Sequence, residues 1–212
     1  MDKITATKTA KLAEECHKKF FLSESVKEAI AKTNREEFVP AGFRHNAYKL
    51  DALPLGSAQW ISSPLTVSKM TEYLIPKGAD RVLEIGCGSG YQAAVLSHLF
   101  RGVFTIERIE PLILEAKLKF RKLGLGNIHT KLDDGQNGWA QYAPYDRILF
   151  SATAKQIPAK LFEQLSDGGI LVAPMQVGVK QIITRFKKIG SSISKEELEE
   201  CDFVPVLDGI QK

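Results

Sequence analysis

The stretch Arg81 to Leu99, RVLEIGCGSGYQAAVLSHL, constrains the fold more tightly than any other part of the chain. Val82, Leu83 and Ile85 make a short apolar run, the pattern of a strand buried on both faces of a parallel sheet. Gly86, Gly88 and Gly90 follow at alternate positions. Ala93, Ala94, Val95, Leu96 and Leu99 then recur at helical spacing. The segment therefore reads as strand, glycine turn, helix. Glycine frees the backbone to take positive φ and to approach a ligand with no Cβ in the way. A helix that starts after such a turn offers unpaired N–H groups at its N-terminus.

Two kinds of cofactor suit that geometry. A dinucleotide fingerprint, G-x-G-x-x-G/A, needs a small third residue so that helix and strand pack closely. Here that position is Tyr91, which argues against a nicotinamide oxidoreductase. The arrangement E-x-G-x-G-x-G from Glu84 to Gly90 instead resembles the first motif of class I S-adenosylmethionine methyltransferases. That resemblance implies cofactor contacts from Glu84, Gly86, Cys87, Gly88, Ser89 and Gly90.

At 212 residues, 44% hydrophobic and 25% charged, the chain has the length of one domain with a substantial core. Its net charge of +4 does not point to nucleic acid, and none is expected as a partner. Lys117, Lys119, Arg121 and Lys122 lie close in sequence but spread around the outer face of a helix, as on a solvated surface. Cys16, Cys87 and Cys201 are odd in number and far apart, so neither a disulfide framework nor a metal site is expected. Reduced thiols fit a cytoplasmic location. No signal peptide or membrane-spanning stretch is read, and a monomer that does not engage membranes is expected.

Residues 3–33 read as two helices, with Ser23 and Ser25 between them and Asn34 as a stop. Pro40 ends regular structure, and residues 41–62 look irregular, punctuated by Gly42, Pro54 and Gly56. Tyr48, Leu50, Leu53, Leu55, Trp60 and Ile61 are too apolar for a free loop, so this segment is expected to fold back over a site as a substrate wall. Ser63-Pro64 opens a helix, hydroxyl cap first and proline next. After the central strand come expected strands at 103–106, 128–132, 145–150, 168–174, 179–186 and 203–207. Helices are expected from Pro111 to Leu123 and at 157–165, and a polar connection at 187–200. Alternation of strand and helix argues a parallel sheet with right-handed crossovers, whose ligands bind beyond the carboxyl ends of the strands.

Those strand ends carry the candidate chemistry. Glu107 ends the second strand, about 20 residues past the glycine turn, where a carboxylate can accept hydrogen bonds from a ribose diol. Arg108 follows it. Asp133 and Asp134 end the third strand, followed by Gly135, within reach of an adenine amino group. Aspartate is equally a routine turn residue there.

More of the chain then resembles one family. The segments are Arg35-x-x-Phe38-Val-Pro40, Ala47-Tyr48, Leu53-Pro-Leu-Gly56, Gln59-x-Ile61-Ser62-x-Pro64, Val82 to Leu96, Asp134-Gly135 with Gly138-Trp139, and Phe203-Val-Pro-Val-Leu207. Together they are similar to protein-L-isoaspartate O-methyltransferases over roughly residues 10–207. The resemblance implies a doubly wound, mostly parallel seven-stranded sheet of the class I methyltransferase, Rossmann-like type with an N-terminal helical extension. It also implies one domain over 1–212, with helices and substrate loop in 1–62 and the cofactor core in 63–212.

The implied activity is methyl transfer from S-adenosylmethionine to the α-carboxylate of L-isoaspartyl residues in damaged proteins and peptides, leaving S-adenosylhomocysteine. Ser62 matches the active-site serine. Leu55, Gly56, Gln59, Trp60, Ile61 and Val206 fall in the substrate segments, and Glu107 and Asp134 on the ribose and adenine sides. The chain departs from the family pattern at Trp60, where threonine is usual, at Asp133, where glycine is usual, and in the longer Pro174 to Gly178 segment. A base-methylating alternative lacks its usual Asn/Asp-Pro-Pro-Tyr/Phe signature, because the fourth strand is followed by Ser151-Ala-Thr-Ala154.

The acceptor needs no general base, since a carboxylate is already ionised at pH 7. His17, His45, His98 and His129 are scattered and form no nucleophile–base pair. Ser62 would orient the acceptor, although a serine just before Ser63-Pro64 suits helix capping equally well.

Overall fold

The computed structural model describes all 212 residues. Two N-terminal helices, α1 (Lys3–Lys19) and α2 (Glu24–Lys32), lead to short 3-10 turns at Arg35–Glu37 and Ala41–Asn46. A hairpin of β1 (Leu53–Leu55) and β2 (Gln59–Ile61) precedes α3 (Pro64–Tyr73). The sheet then starts with β3 (Arg81–Ile85), followed by α4 (Tyr91–Leu96), β4 (Gly102–Glu107), α5 (Glu110–Lys122) and β5 (Ile128–Leu132). It continues through β6 (Tyr145–Phe150), α6 (Ala159–Glu163), β7 (Leu165–Val177), β8 (Lys180–Ile189) and β9 (Ser192–Cys201).

The seven sheet strands lie in the order β5-β4-β3-β6-β7-β8-β9. The pairings from β5 to β7 are parallel; β8 and β9 add antiparallel strands at one edge. Side chains alternate between two apolar layers, as the pleat requires. Val82 and Leu149 face one layer with Phe38, Met70, Ala94 and Phe120; Leu83, Ile148 and Phe150 face the other with Tyr145 and Leu161. Burial on both faces is why these strands read as near-continuous apolar runs.

Two expectations about the C-terminal region are corrected. The polar segment read as a connection is the strand β9, and the apolar Phe203-to-Leu207 segment is not a sheet strand. The strand β9 has little apolar content because it is an edge strand exposed over most of its length. Charged cross-strand pairs such as Arg185–Glu196 and Lys180–Glu200 hold it. The apolar tail instead crosses the loop after β6, where Thr153 N donates to Val204 O and Val206 N to Thr153 O, both at 2.8 Å. A third expectation is corrected at residues 53–61, which form a hairpin rather than irregular chain.

Candidate active site

A cleft opens at the carboxyl ends of β3, β4 and β6, enclosing about 1010 Å³ with the space open to solvent. The glycine turn forms one side of it. Gly86, Gly88 and Gly90 have φ of 95°, 53° and 89°. Their reasons differ. A Cβ on Gly90 would stand 2.7 Å from Cζ of Phe120, so this glycine lets α5 close on α4. A Cβ on Gly88 would meet nothing nearer than Leu55 Cδ2, at 3.9 Å, and Gly88 lines the cleft. The first serves packing; the second leaves bare backbone facing the site.

Glu107 joins this turn from the end of β4. It is 6% exposed. Its Oε2 accepts from Gly88 N at 2.8 Å, and its Oε1 from Arg108 N at 2.8 Å and Ile109 N at 3.0 Å. A carboxylate has about four acceptor sites, so a ribose hydroxyl can be bound without breaking any of the three.

The two aspartates part company. Asp134 lines the cleft; its Oδ1 accepts from Gln136 N and its Oδ2 from Gly209 N, each at 3.0 Å. Asp133 does not line it. Its Oδ2 pairs with Lys131 at 2.6 Å and its Oδ1 accepts from Asp134 N, so it stabilises the turn, and the lysine holds its carboxyl below the usual range. Gly135 lines the cleft and packs on Ile85, to which a Cβ would come within 2.4 Å.

Glu84 is also displaced from its expected place. It is fully buried and turned into the layer beneath the turn. Thr105 Oγ1, its cross-strand neighbour, donates to it at 2.5 Å, and Ser151 Oγ lies at 3.4 Å. Burial pushes its carboxyl up to about 8, so it is neutral at pH 7. Cys87 and Ser89 do line the cleft, and the Ser89 hydroxyl accepts from Tyr91 N at 3.3 Å.

The opposite wall is the β1–β2 hairpin. Gln59, Trp60, Ile61 and Ser62 line the cleft from it, whereas Leu55 is buried with its Cδ2 toward Gly88 and Gly56 sits in the hairpin turn. Ser63, not Ser62, caps α3: its hydroxyl accepts from Thr66 N at 3.0 Å. Ser62 itself lines the cleft, and its hydroxyl makes no hydrogen bond within the chain. Trp60 is 56% exposed at the mouth.

The third wall is the C-terminal tail, from Phe203 to Leu207, which includes Val206. Arg108 holds this tail: its Nε donates to Gly209 O at 2.9 Å. Sequence reasoning missed Thr66, Val67 and Met70 on α3, and also Ser151 and Gln92, all of which line the cleft. Val67 and Met70 carried a signal, since both were on the apolar stripe of a helix that starts beside Ser62.

Tyr91, too large for a dinucleotide fingerprint, is accommodated by its neighbours. It is buried, its ring 5.7 Å from the Arg35 guanidinium and 5.8 Å from the Phe38 ring.

Comparison with known proteins agrees with this geometry. The family model described as protein-L-isoaspartate(D-aspartate) O-methyltransferase matches residues 6–211. A protein-L-isoaspartate O-methyltransferase from Helicobacter pylori is 58% identical over 201 residues, 94% of this chain and 96% of its own. One from Hahella chejuensis is 44% identical over 204 residues, covering 94% and 95%. A solved protein-L-isoaspartate O-methyltransferase superposes with a TM-score of 0.83 at 27% identity, over 92% of this chain and 64% of that one. A Plasmodium falciparum structure, described as a complex with S-adenosyl-L-homocysteine, shares the fold at a TM-score of 0.83 and 18% identity over 94% and 98%. A family model matched over nearly the whole chain and relatives 58% and 44% identical show that the chain belongs to the protein-L-isoaspartate(D-aspartate) O-methyltransferase family.

Proposed function

We propose that the residues around the cleft divide into a cofactor side and an acceptor side. The chain methylates L-isoaspartyl residues, using S-adenosylmethionine, as its family membership entails. The cleft fits that cofactor. Bare backbone at Gly88 admits close approach, Glu107 has acceptor capacity left for ribose, and the position of Asp134 on the cleft supports a role toward the adenine amino group. When bound, the cofactor supplies an electrophilic sulfonium methyl.

The remaining work belongs to the acceptor side. Ser62 donates a hydrogen bond to the isoaspartyl carboxylate and holds one oxygen toward the methyl. It takes no proton, because the carboxylate is already ionised. Gln59, Trp60 and Val206 flank the peptide around it. The step neutralises an anion and a cation, so it is favoured as the bound peptide and cofactor displace water from between the hairpin and the tail. The observation that carries this reading is Ser62, which lines the cleft with its hydroxyl unpaired in the chain, beside a helix whose cap is another serine. We place the enzyme in the cytoplasm, a reading supported by its three free cysteines.

Methyl transfer to a peptide containing L-isoaspartate, measured beside its L-aspartate twin, tests the acceptor. Equal transfer to both would assign the activity to another substrate class.

A further inference from the structure

Arg35 is the largest fully buried side chain of the protein, at 0% exposure. Its hydrogen bonds run to carbonyl oxygens: one terminal nitrogen donates to Ala47 O at 2.9 Å and Lys49 O at 3.5 Å, the other to Asp51 O at 3.0 Å and Ser62 O at 3.1 Å. No carboxylate joins them, and Nε has no partner. A guanidinium stays charged in a protein, and a buried one without a counter-ion is costly. Nothing about the stability of a 3-10 turn requires that arrangement. What the four carbonyls share is their place in the chain: three lie in the loop that leads into β1, and the fourth belongs to Ser62 itself.

The anchoring matters because the 47–62 segment, although Leu53, Leu55 and Ile61 are buried in the core, has little regular structure of its own. Its own regular structure is a three-pair hairpin with Ser57 and Ala58 at φ of 60° and 54°, values that non-glycine residues seldom adopt. Ser62 stands between the end of β2 and the cap of α3. Arg35 therefore grips the loop before the hairpin and the residue after it with one planar, rigid fork. Its other face meets Tyr91, the first residue of α4, which lines the cleft after the glycine turn. The Arg-x-x-Phe-Val-Pro segment thus ties the acceptor wall to the cofactor wall.

We propose that Arg35 is the positioning residue for Ser62, fixing its carbonyl so that the hydroxyl stands where the acceptor carboxylate arrives. The proposal rests on the reading of Ser62 as the acceptor's hydrogen-bond donor. Lysine at position 35 keeps the charge but has one nitrogen and three donors in place of the planar fork, so it cannot hold all four carbonyls in their present places, and it separates geometry from electrostatics.

The test is a double-mutant cycle on kcat with an isoaspartyl peptide, using Arg35→Lys, Ser62→Ala and both together. Arg35→Lys lowers kcat at least about tenfold while S-adenosylhomocysteine affinity stays within about threefold. In that background Ser62→Ala costs less than about threefold, because the hydroxyl has already left its place. Full and multiplicative losses from the two changes would show that Arg35 and Ser62 act independently and would overturn the proposal. If Ser62→Ala alone leaves kcat intact, the Ser62 reading itself fails, a different result from additivity. Should Arg35→Lys not fold, replacing Ser63 by its α-hydroxy analogue turns the 62–63 peptide bond into an ester with Arg35 still in place. The Ser62 carbonyl becomes a weaker acceptor, and kcat falls with cofactor affinity unchanged. An unchanged kcat there would equally overturn the proposal.

Discussion

The amide of Gly88 donates to Oε2 of Glu107 at 2.8 Å, so the glycine turn after β3 and the acid at the end of β4 are one unit rather than two neighbouring features. Glu107 thereby fixes the shape of the turn, and in the proposed reading it also offers its remaining acceptor capacity to ribose. Glu107→Ala removes both and weakens S-adenosylhomocysteine binding by about 1.5–3 kcal/mol, the range for hydrogen bonds to a charged group. Glu107→Gln gives little relief, because its NH₂ must face either Gly88 N–H or the amides of Arg108 and Ile109. Calorimetry on both variants checks this; wild-type affinity in either would separate Glu107 from the cofactor.

Gly88 and Gly90 look alike in sequence yet have different reasons, and alanine distinguishes them. At Gly88 the strain is the positive φ, costing roughly 1–2 kcal/mol, and the new methyl projects beside the cleft. Gly88→Ala therefore folds but binds cofactor poorly. At Gly90 the same φ penalty is joined by a collision with Phe120, and overpacking of this kind costs about 1–3 kcal/mol more. Gly90→Ala accordingly lowers the melting temperature further than Gly88→Ala. Thermal denaturation alongside ligand titration reads both, and a reversed order would contradict the packing assignment.

Glu84 gives a pH signature. Its carboxyl titrates near 8 in the folded chain, raised by burial and by nearby Glu107, against an ordinary value near 4.5. Between those values the folded protein binds a proton that the unfolded chain has released, so stability falls as pH rises through the window. The loss is complete only above about pH 8 and amounts to a few kcal/mol. Glu84→Gln, neutral at every pH, leaves stability near pH 5 almost unchanged and raises it at pH 8.5. Denaturant melts at the two pH values measure this. An equal effect at both would show that Glu84 is ionised in the fold.

The contrast between Glu84 and Glu107 marks where the sequence was legible. The glycine turn, the alternating strands and helices and the acid at the second strand end are local patterns, and local patterns survive in a one-dimensional reading. Glu84 was placed at the cofactor because it shares a motif with the glycines. Only the pleat, which turns Val82 and Glu84 into one layer and Leu83 and Ile85 into the other, shows that it faces inward. The strand β9 was hidden for the opposite reason. Its stability comes from β8 and from charged partners on other elements, not from its own composition. The tail from Phe203 to Leu207 read as a strand because it is apolar, but its apolar side chains line the cleft. Tyr91 spoke against one cofactor class in sequence; its partners Arg35 and Phe38 lie more than 50 residues away along the chain.

The tail is tied down by residues expected to touch cofactor. Arg108 Nε donates to Gly209 O, Gly209 N to Asp134 Oδ2, and Gln211 N to Arg108 O at 2.8 Å. Residues 209–212 are exposed, so they contribute little to the core. Their removal leaves the fold intact and frees the segment that walls the cleft. Deletion of Gly209 to Lys212 raises the dissociation rate of S-adenosylhomocysteine about tenfold or more, with little change in melting temperature. Stopped-flow displacement provides the rate, and an unchanged rate would mean that Phe203 to Leu207 hold their place without these bonds.

Ser62 carries the last and most direct prediction. Its hydroxyl is free because Ser63 takes the capping role, and the start of α3 at Pro64 fixes the backbone beside it. A hydroxyl that orients an acceptor without moving a proton leaves a distinct kinetic trace. Ser62→Ala lowers kcat by roughly 10- to 1000-fold, since one positioned donor is typically worth a few kcal/mol in the transition state. S-adenosylhomocysteine affinity stays nearly constant, because the hydroxyl faces the acceptor. The rate shows no bell near neutrality and falls only as the acceptor carboxylate protonates below about pH 4 to 5. Glu84 ionises near pH 8, so the profile is repeated in Glu84→Gln to remove its contribution at the alkaline end. The measurements are kcat and ligand affinity for wild type and Ser62→Ala, with the pH series on an isoaspartyl peptide. Full activity in the alanine variant would leave the unpaired hydroxyl without a role. A rate that rises with apparent pKa near 7, and still does so in Glu84→Gln, would demand a general base, although the cleft contains no histidine to serve as one.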